Sequence, residues 1–207
     1  MAYTQVLVNP PAQSSNPDGA EIFALGGKQG DALVSELHGK HFTANYRGKL
    51  FVATAAAVTV PVIASNLVSV FTLWNPPASG VNMEIVETSL INVLATTVVD
   101  GTGWYFSTAA LTAAGTFTTA GTTQPLNVAA GFTSAGRFYS AYTHSGTPVL
   151  VDIIGGYGAA TASSAVTKFY DGRLILPPGI AMSVAMSTNA STGSGITLSA
   201  VWQESPI

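Results

Sequence analysis

Residues 172–207 read GRLILPPGIAMSVAMSTNASTGSGITLSAVWQESPI, and this stretch decides the fold class. Leu174 to Leu176 has the composition of a strand. Pro177-Pro178-Gly179 has the chemistry of a type II turn, because Pro178 presets φ at the second position and Gly179 supplies the positive φ at the third. Beyond the turn, Met182, Val184 and Met186 alternate with Ala181, Ser183, Ala185 and Ser187. A Ser/Thr/Gly loop from Thr188 to Gly195 follows, and then Ile196, Leu198, Ala200 and Trp202 alternate with Thr197, Ser199 and Gln203. A period of two, not 3.6, marks half-buried antiparallel strands. The chain ends in a β-meander that closes a sandwich or barrel.

The same signal runs upstream. Leu50 to Thr54 and Val58 to Ile63 read as a strand pair, and Leu67 to Trp74 as a strand covered on both sides. Asn75-Pro76-Pro77-Ala78-Ser79-Gly80 is a turn. Val81 to Leu94 is a long strand whose alternation slips near Val86. Asp100-Gly101 is a hairpin-type dipeptide leading into Gly103 to Thr108. Leu111 to Phe132 reads as loop with at most short strands. Arg137 to His144, Pro148 to Ile154 and Val166 to Tyr170 read as further strands, with a bend at Gly155-Gly156-Tyr157-Gly158. Roughly eight to ten strands without a long helix predict an all-β, jelly-roll-like antiparallel β-sandwich over residues 49–207.

Residues 1–48 differ in kind. Asp18 to Lys49 holds eight of the chain's seventeen charged side chains and two of its three histidines. Gln5 to Val8 reads as a short strand, and Asn9 to Gly19 is rich in turn formers. Asp31 to His38 reads as a short helix, with Asp31 as cap and Leu33, Val34 and Leu37 on one face. With too few apolar residues for a core of its own, this segment reads as an N-terminal arm used for docking.

Composition narrows the function. Charged residues are only 8% of the 207, against about 25% in an ordinary soluble domain. A compact monomer of this mass would expose roughly 9,000 Å². That spreads the charges about threefold thinner than usual and predicts a surface partly covered by other subunits. The net charge of −3 offers no basic stripe for nucleic acid. The chain has no cysteine, hence no disulfide and no thiolate chemistry. Met1 to Gln5 lacks the basic and apolar regions of a secretory signal. Leu50 to Met83 carries no charge, but its prolines and asparagines argue against a spanning helix, so no membrane partner is expected.

No catalytic, cofactor or metal site is expected. His38 and His41 are three apart with Glu36 nearby, yet Gly39 weakens any shared helical face and no further ligand clusters with them. The Gly26-Gly27-Lys28 and Gly155–Gly158 runs lack the phosphate-loop and dinucleotide patterns. Glu84 and Glu87, three apart on a strand, should face opposite sides. Asp152, on an apolar strand, needs a structural partner, with Arg137 or Arg173 in reach. His144 is the only histidine after Leu50, and no Gly-x-Ser-x-Gly elbow is present. Trp104-Tyr105-Phe106 and Phe138, Tyr139 and Tyr142 read as core or subunit contact more than as a sugar platform.

Several short stretches carry a resemblance. Glu36-Leu37-His38-Gly39-Lys40-His41 and Tyr46-Arg47-Gly48 run into a strand, and Asn75-Pro76 to Gly80, Pro177-Pro178-Gly179 and Trp202-Gln203-Glu204 follow. From Gln29 to Ile207 the chain resembles capsid decoration (cement) proteins of tailed bacteriophages and related virion proteins. The resemblance implies a non-enzymatic homotrimer on the capsid surface, made in the host cytoplasm and bound to the major capsid protein. His38, Lys40, His41, Arg47 and Lys49 are the expected docking residues. The alternative is a receptor- or glycan-binding head-fibre or tail component, whose Thr/Gly-rich loops would be the working surface.

Overall fold

The computed structural model describes residues 5–7, 21–23, 40–62, 67–92, 100–106, 116–120, 122–128, 131–144, 147–157, 165–187 and 195–207. The chain divides into two units, Met1–Arg47 and Gly48–Ile207. In the first, strand β1 (Gln5–Leu7) pairs antiparallel with β2 (Glu21–Phe23), and helix α1 spans Phe42–Tyr46. The helix expected over 31–38 lies outside the described residues. The one found at 42–46 is a single turn closed by Asn45 N–H donating to the His41 carbonyl at 2.9 Å.

The second unit is built of strands β3 (Leu50–Thr59), β4 (Val68–Ser69), β5 (Thr72–Trp74), β6 (Val81–Asn92), β7 (Asp100–Phe106), β8 (Thr116–Ala120), β9 (Thr123–Pro125), β10 (Arg137–Thr143), β11 (Val149–Tyr157), β12 (Ala165–Phe169), β13 (Ile175–Leu176), β14 (Ala181–Met186) and β15 (Gly195–Pro206). They form two antiparallel sheets. Sheet I runs β12-β6-β15-β3-β9, with β13 continuing the β12 edge along β6. Sheet II runs β11-β7-β14-β5-β10, with β4 continuing β5 along β10 and β8 on the far side of β10.

The pairing is nested. The first strand, β3, pairs with the last, β15; β5 pairs with β14; β6 with β12 and β13; β7 with β11. This is one long hairpin of four rungs rolled over itself, with successive strands alternating between the sheets: a jelly roll. The excursion β8 to β10 leaves from the hairpin's tip, between β7 and β11. There it adds β10 beside β5 and β9 beside β3 without interrupting any rung.

Period-two alternation sends Phe51, Ala53, Met83, Ile85, Leu90, Leu198, Ala200 and Trp202 of sheet I inward. They meet Phe71, Leu73, Trp104, Phe138, Met182, Val184 and Met186 of sheet II. Phe71 packs on Phe138 at 4.7 Å and edge-on to Trp104 at 5.9 Å, while Phe51 stacks on Trp202 at 6.1 Å. Each such side chain contributes about 2 kcal/mol of burial. The turn before β14 forms as its sequence dictates: Ile180 N–H reaches the Pro177 carbonyl, and Gly179 sits at φ 86°.

Four local expectations give way. Residues 50–62 are not a hairpin: Thr54-Ala55-Ala56-Ala57 holds no turn former, so β3 runs unbroken to Thr59. Asp100-Gly101 opens β7 opposite Tyr157 and Gly156, and Gly155 to Tyr157 continue β11 instead of bending. β14 is not half-buried. All six of its residues are covered, because it lies central in sheet II and its small outward side chains sit under Leu67, Tyr105, Tyr139 and Tyr142.

Near the C-terminus a single carboxylate holds a loop in place. Buried Glu204 accepts from Ser134 Oγ (2.6 Å), Ala135 N–H (3.1 Å), Gly136 N–H (2.9 Å) and Trp202 Nε1–H (3.4 Å). Four donors replace the water lost by the charge, which is what makes a buried carboxylate tolerable.

Candidate functional site

The expected docking residues fall in different places. Lys40 is exposed and His41 half-buried in the turn before α1, and Arg47 is exposed in the turn after it, all in the first unit. Lys49 is exposed at the start of the second unit, where its carbonyl accepts the Glu204 N–H at 2.8 Å. His38 lies outside the described residues. Among the described residues no three His, Asp or Glu side chains converge as metal ligands, and no helix is long and apolar enough to cross a membrane.

Two carboxylate readings are corrected. Glu84 and Glu87 face the same side. The register of β6 against β15 slips between Val201 and Trp202, leaving Val86 without a partner on β15 and re-phasing the strand. Glu84 then opposes Gln203 and Ile175, Glu87 opposes Val201 and Phe169, and all of these lie on the outside of sheet I. The partner of Asp152 is Lys168, at 2.6 Å, and neither Arg137 nor Arg173. Arg137 lies over the Trp74 ring at 5.5 Å, and Arg173 donates to the carbonyls of Tyr170 and Phe169. The sequence could not show this, because Lys168 comes from the facing edge of the other sheet.

Asp152 and Lys168 bridge the edges of β11 and β12, where a cleft of about 180 Å³ is lined by Val151, Asp152, Tyr170, Arg173 and Leu174. Lys168 Nζ also donates to the Ile153 carbonyl at 2.5 Å and lies 5.6 Å from the Tyr170 ring centre. Burial, then the neighbouring Asp152 carboxylate, pushes the Tyr170 phenol well above its usual range, so it stays protonated. The cleft offers one neutralised ion pair, the Arg173 guanidinium and a phenol.

Around it lies apolar surface. Val149, Leu150, Val151, Ile153, Phe169 and Ile175 are all exposed. Leu150 and Ile153 pair with Tyr105 and Gly103, the phase that faces away from the core on sheet II. Phe169 and Ile175 project from the outside of sheet I, and Val149 and Val151 lie along the edge strand between. The apolar rim therefore wraps one edge of the sandwich. By contrast, Trp104, Tyr105, Phe138, Tyr139 and Tyr142 are buried and offer no stacking platform.

A Ser–His contact also emerges that the sequence did not suggest. Ser183 Oγ lies 2.7 Å from His144 Nε2 and 2.6 Å from Thr72 Oγ1, on the outer side of sheet II. All three residues are buried, and Tyr142 meets the imidazole edge-on at 4.7 Å. Burial lowers the His144 pKa from about 6.5 to about 4, so the ring is neutral near pH 7. Its Nδ1 has no hydrogen-bond partner among the described residues. A catalytic triad needs an orienting group at that atom and an accessible hydroxyl. This arrangement has neither, and it ties β5, β14 and the end of β10 together instead.

Compared with known proteins, the chain matches no family profile, no curated protein and no solved structure.

Proposed function

We propose that this chain is a non-enzymatic virion structural protein. It decorates a capsid, associates with copies of itself, in the expected trimer, and binds the major capsid protein. The observation that carries the reading is the apolar rim on a body so poor in charge: a surface of this kind is suited to burial against other subunits. The jelly roll is compatible with that role. Because lectins and cupins share it, the fold alone selects no function. The capsid as partner rests on the resemblance of residues 29–207 to phage decoration proteins. Lys40, His41, Arg47 and Lys49, with His38, would supply polar contacts to the shell. Many copies bridging neighbouring capsomers would add buried area at each seam and hold the lattice together by mass action.

The test is to mix the purified full chain with phage heads that lack a decoration protein and follow co-sedimentation and head survival on heating. Saturable binding with a rise in heat resistance is expected. Absence of binding, with attachment to host cells or glycans instead, overturns the capsid reading in favour of a fibre or tail component.

A further inference from the structure

We infer that the cleft between the edges of β11 and β12 is a binding site for one neutral sugar ring. The inference goes beyond the capsid reading and does not depend on it. Val151 and Arg173 are exposed at the cleft, Asp152 is half-buried, and buried Tyr170 and Leu174 complete its wall. Its volume of about 180 Å³ falls below the roughly 300 Å³ at which sites for drug-sized ligands begin, so it suits a single small ring and not an oligosaccharide.

The fold aims the polar groups at this space. The β11 register slips at Val151, which leaves that residue without a partner on β7 and sets Asp152 opposite inward-facing Trp104. Without the slip, Asp152 would share the outward face of Leu150. Bulges recur beside sites because they re-aim a side chain in this way. Lys168 stands opposite buried Thr88 on β6 and so shares the phase that points between the sheets. Glu84 and Glu87 oppose Ile175 and Phe169 on the outer face of sheet I, away from the cleft.

Donors and acceptors are both on offer. Asp152 is neutralised by Lys168 at 2.6 Å, but a carboxylate has about four lone-pair sites and keeps capacity to accept. Arg173 is anchored through Nε and Nη2 to the carbonyls of Tyr170 and Phe169, each at 3.2 Å, which leaves Nη1 to donate. The Tyr170 hydroxyl is buried and has no hydrogen-bond partner among the described residues, a condition that calls for a water or a ligand oxygen. A free anion entering here meets Asp152, and a free cation meets Lys168 and Arg173. Neighbouring hydroxyls, each both donor and acceptor, satisfy carboxylate and guanidinium together. Val151 and Leu174 supply apolar wall for the C–H face of the ring.

The experiment titrates the full chain with glucose, galactose, mannose and N-acetylglucosamine, with glucuronate as the charged comparison, and follows backbone amide shifts by NMR. At least one neutral sugar should bind with Kd on the order of millimolar, as befits about a dozen non-hydrogen atoms in an open cleft. The shifts should centre on Asp152, Lys168, Tyr170 and Arg173. Val151→Trp, which fills the mouth from an exposed position, and Arg173→Gln should each weaken binding at least tenfold. Val128→Trp, at a site 83% exposed and outside the cleft, should leave it unchanged. No binding by any neutral sugar, binding by glucuronate alone, or shifts centred elsewhere overturns the inference. Because the shifts are read on the wild type, the test survives a variant that fails to fold. Co-sedimentation of the wild type with heads is scored separately, so loss of the sugar site and loss of the capsid reading are distinguishable.

Discussion

Acid should weaken this protein through one side chain. His144 is buried against Tyr142 and Ser183, and burial holds its pKa at about 4, whereas in the unfolded chain it returns to about 6.5. The unfolded state therefore takes up a proton first as pH falls. The stability His144 confers is complete above pH 6.5 and is lost progressively between pH 6.5 and 4. One pKa unit is about 1.4 kcal/mol, so the whole loss is at most roughly 3 kcal/mol. For a body of this size that lowers Tm by roughly 6 to 12 °C. Urea unfolding of the wild type and His144→Gln at half-unit steps from pH 7.5 to 4 isolates the effect, since the glutamine is neutral throughout and His38, His41 and the carboxylates are common to both. The variant should start less stable and fall less steeply, the two curves converging by about 3 kcal/mol. Parallel curves, or a folded-state imidazole titrating near 6.5 by NMR, would refute the argument.

Two further outcomes follow from the packing. Glu204→Ala should cost about 3 kcal/mol in urea unfolding, because the Ser134, Ala135 and Gly136 donors lose their shared acceptor inside the protein; Glu204→Gln, which keeps one oxygen, should cost less. Gly48→Ala should cost about 2 kcal/mol or more, since φ is +65° and the added Cβ would lie 2.0 Å from the Phe132 ring. Repeating it in a Phe132→Ala background should recover the steric part and leave the backbone part, a coupling readable by double-mutant cycle.

Alternation, turn residues and charge scarcity determined the class of this molecule: antiparallel strands, a Pro-Pro-Gly corner and a body with few ionised groups. These are local or compositional quantities, set by which face of a strand each side chain takes and by how a Pro or Gly bends the chain. Central and edge positions were legible only where the apolar run is continuous, as over β5, because burial of an alternating strand on its second face depends on which strands come to lie alongside. So β14, which alternates as cleanly as any strand here, is covered on both faces, and β3 runs on where a hairpin was expected. Nor could spacing alone place Glu84 and Glu87. The slip near Val86 was visible in the sequence, but only pairing with β15 shows that it turns both carboxylates outward. The Asp152–Lys168 bridge, the Ser183–His144 contact and the apolar rim share one cause. Each joins residues that the rolled hairpin brings together from distant positions, and a nested topology is written in no single segment of the chain.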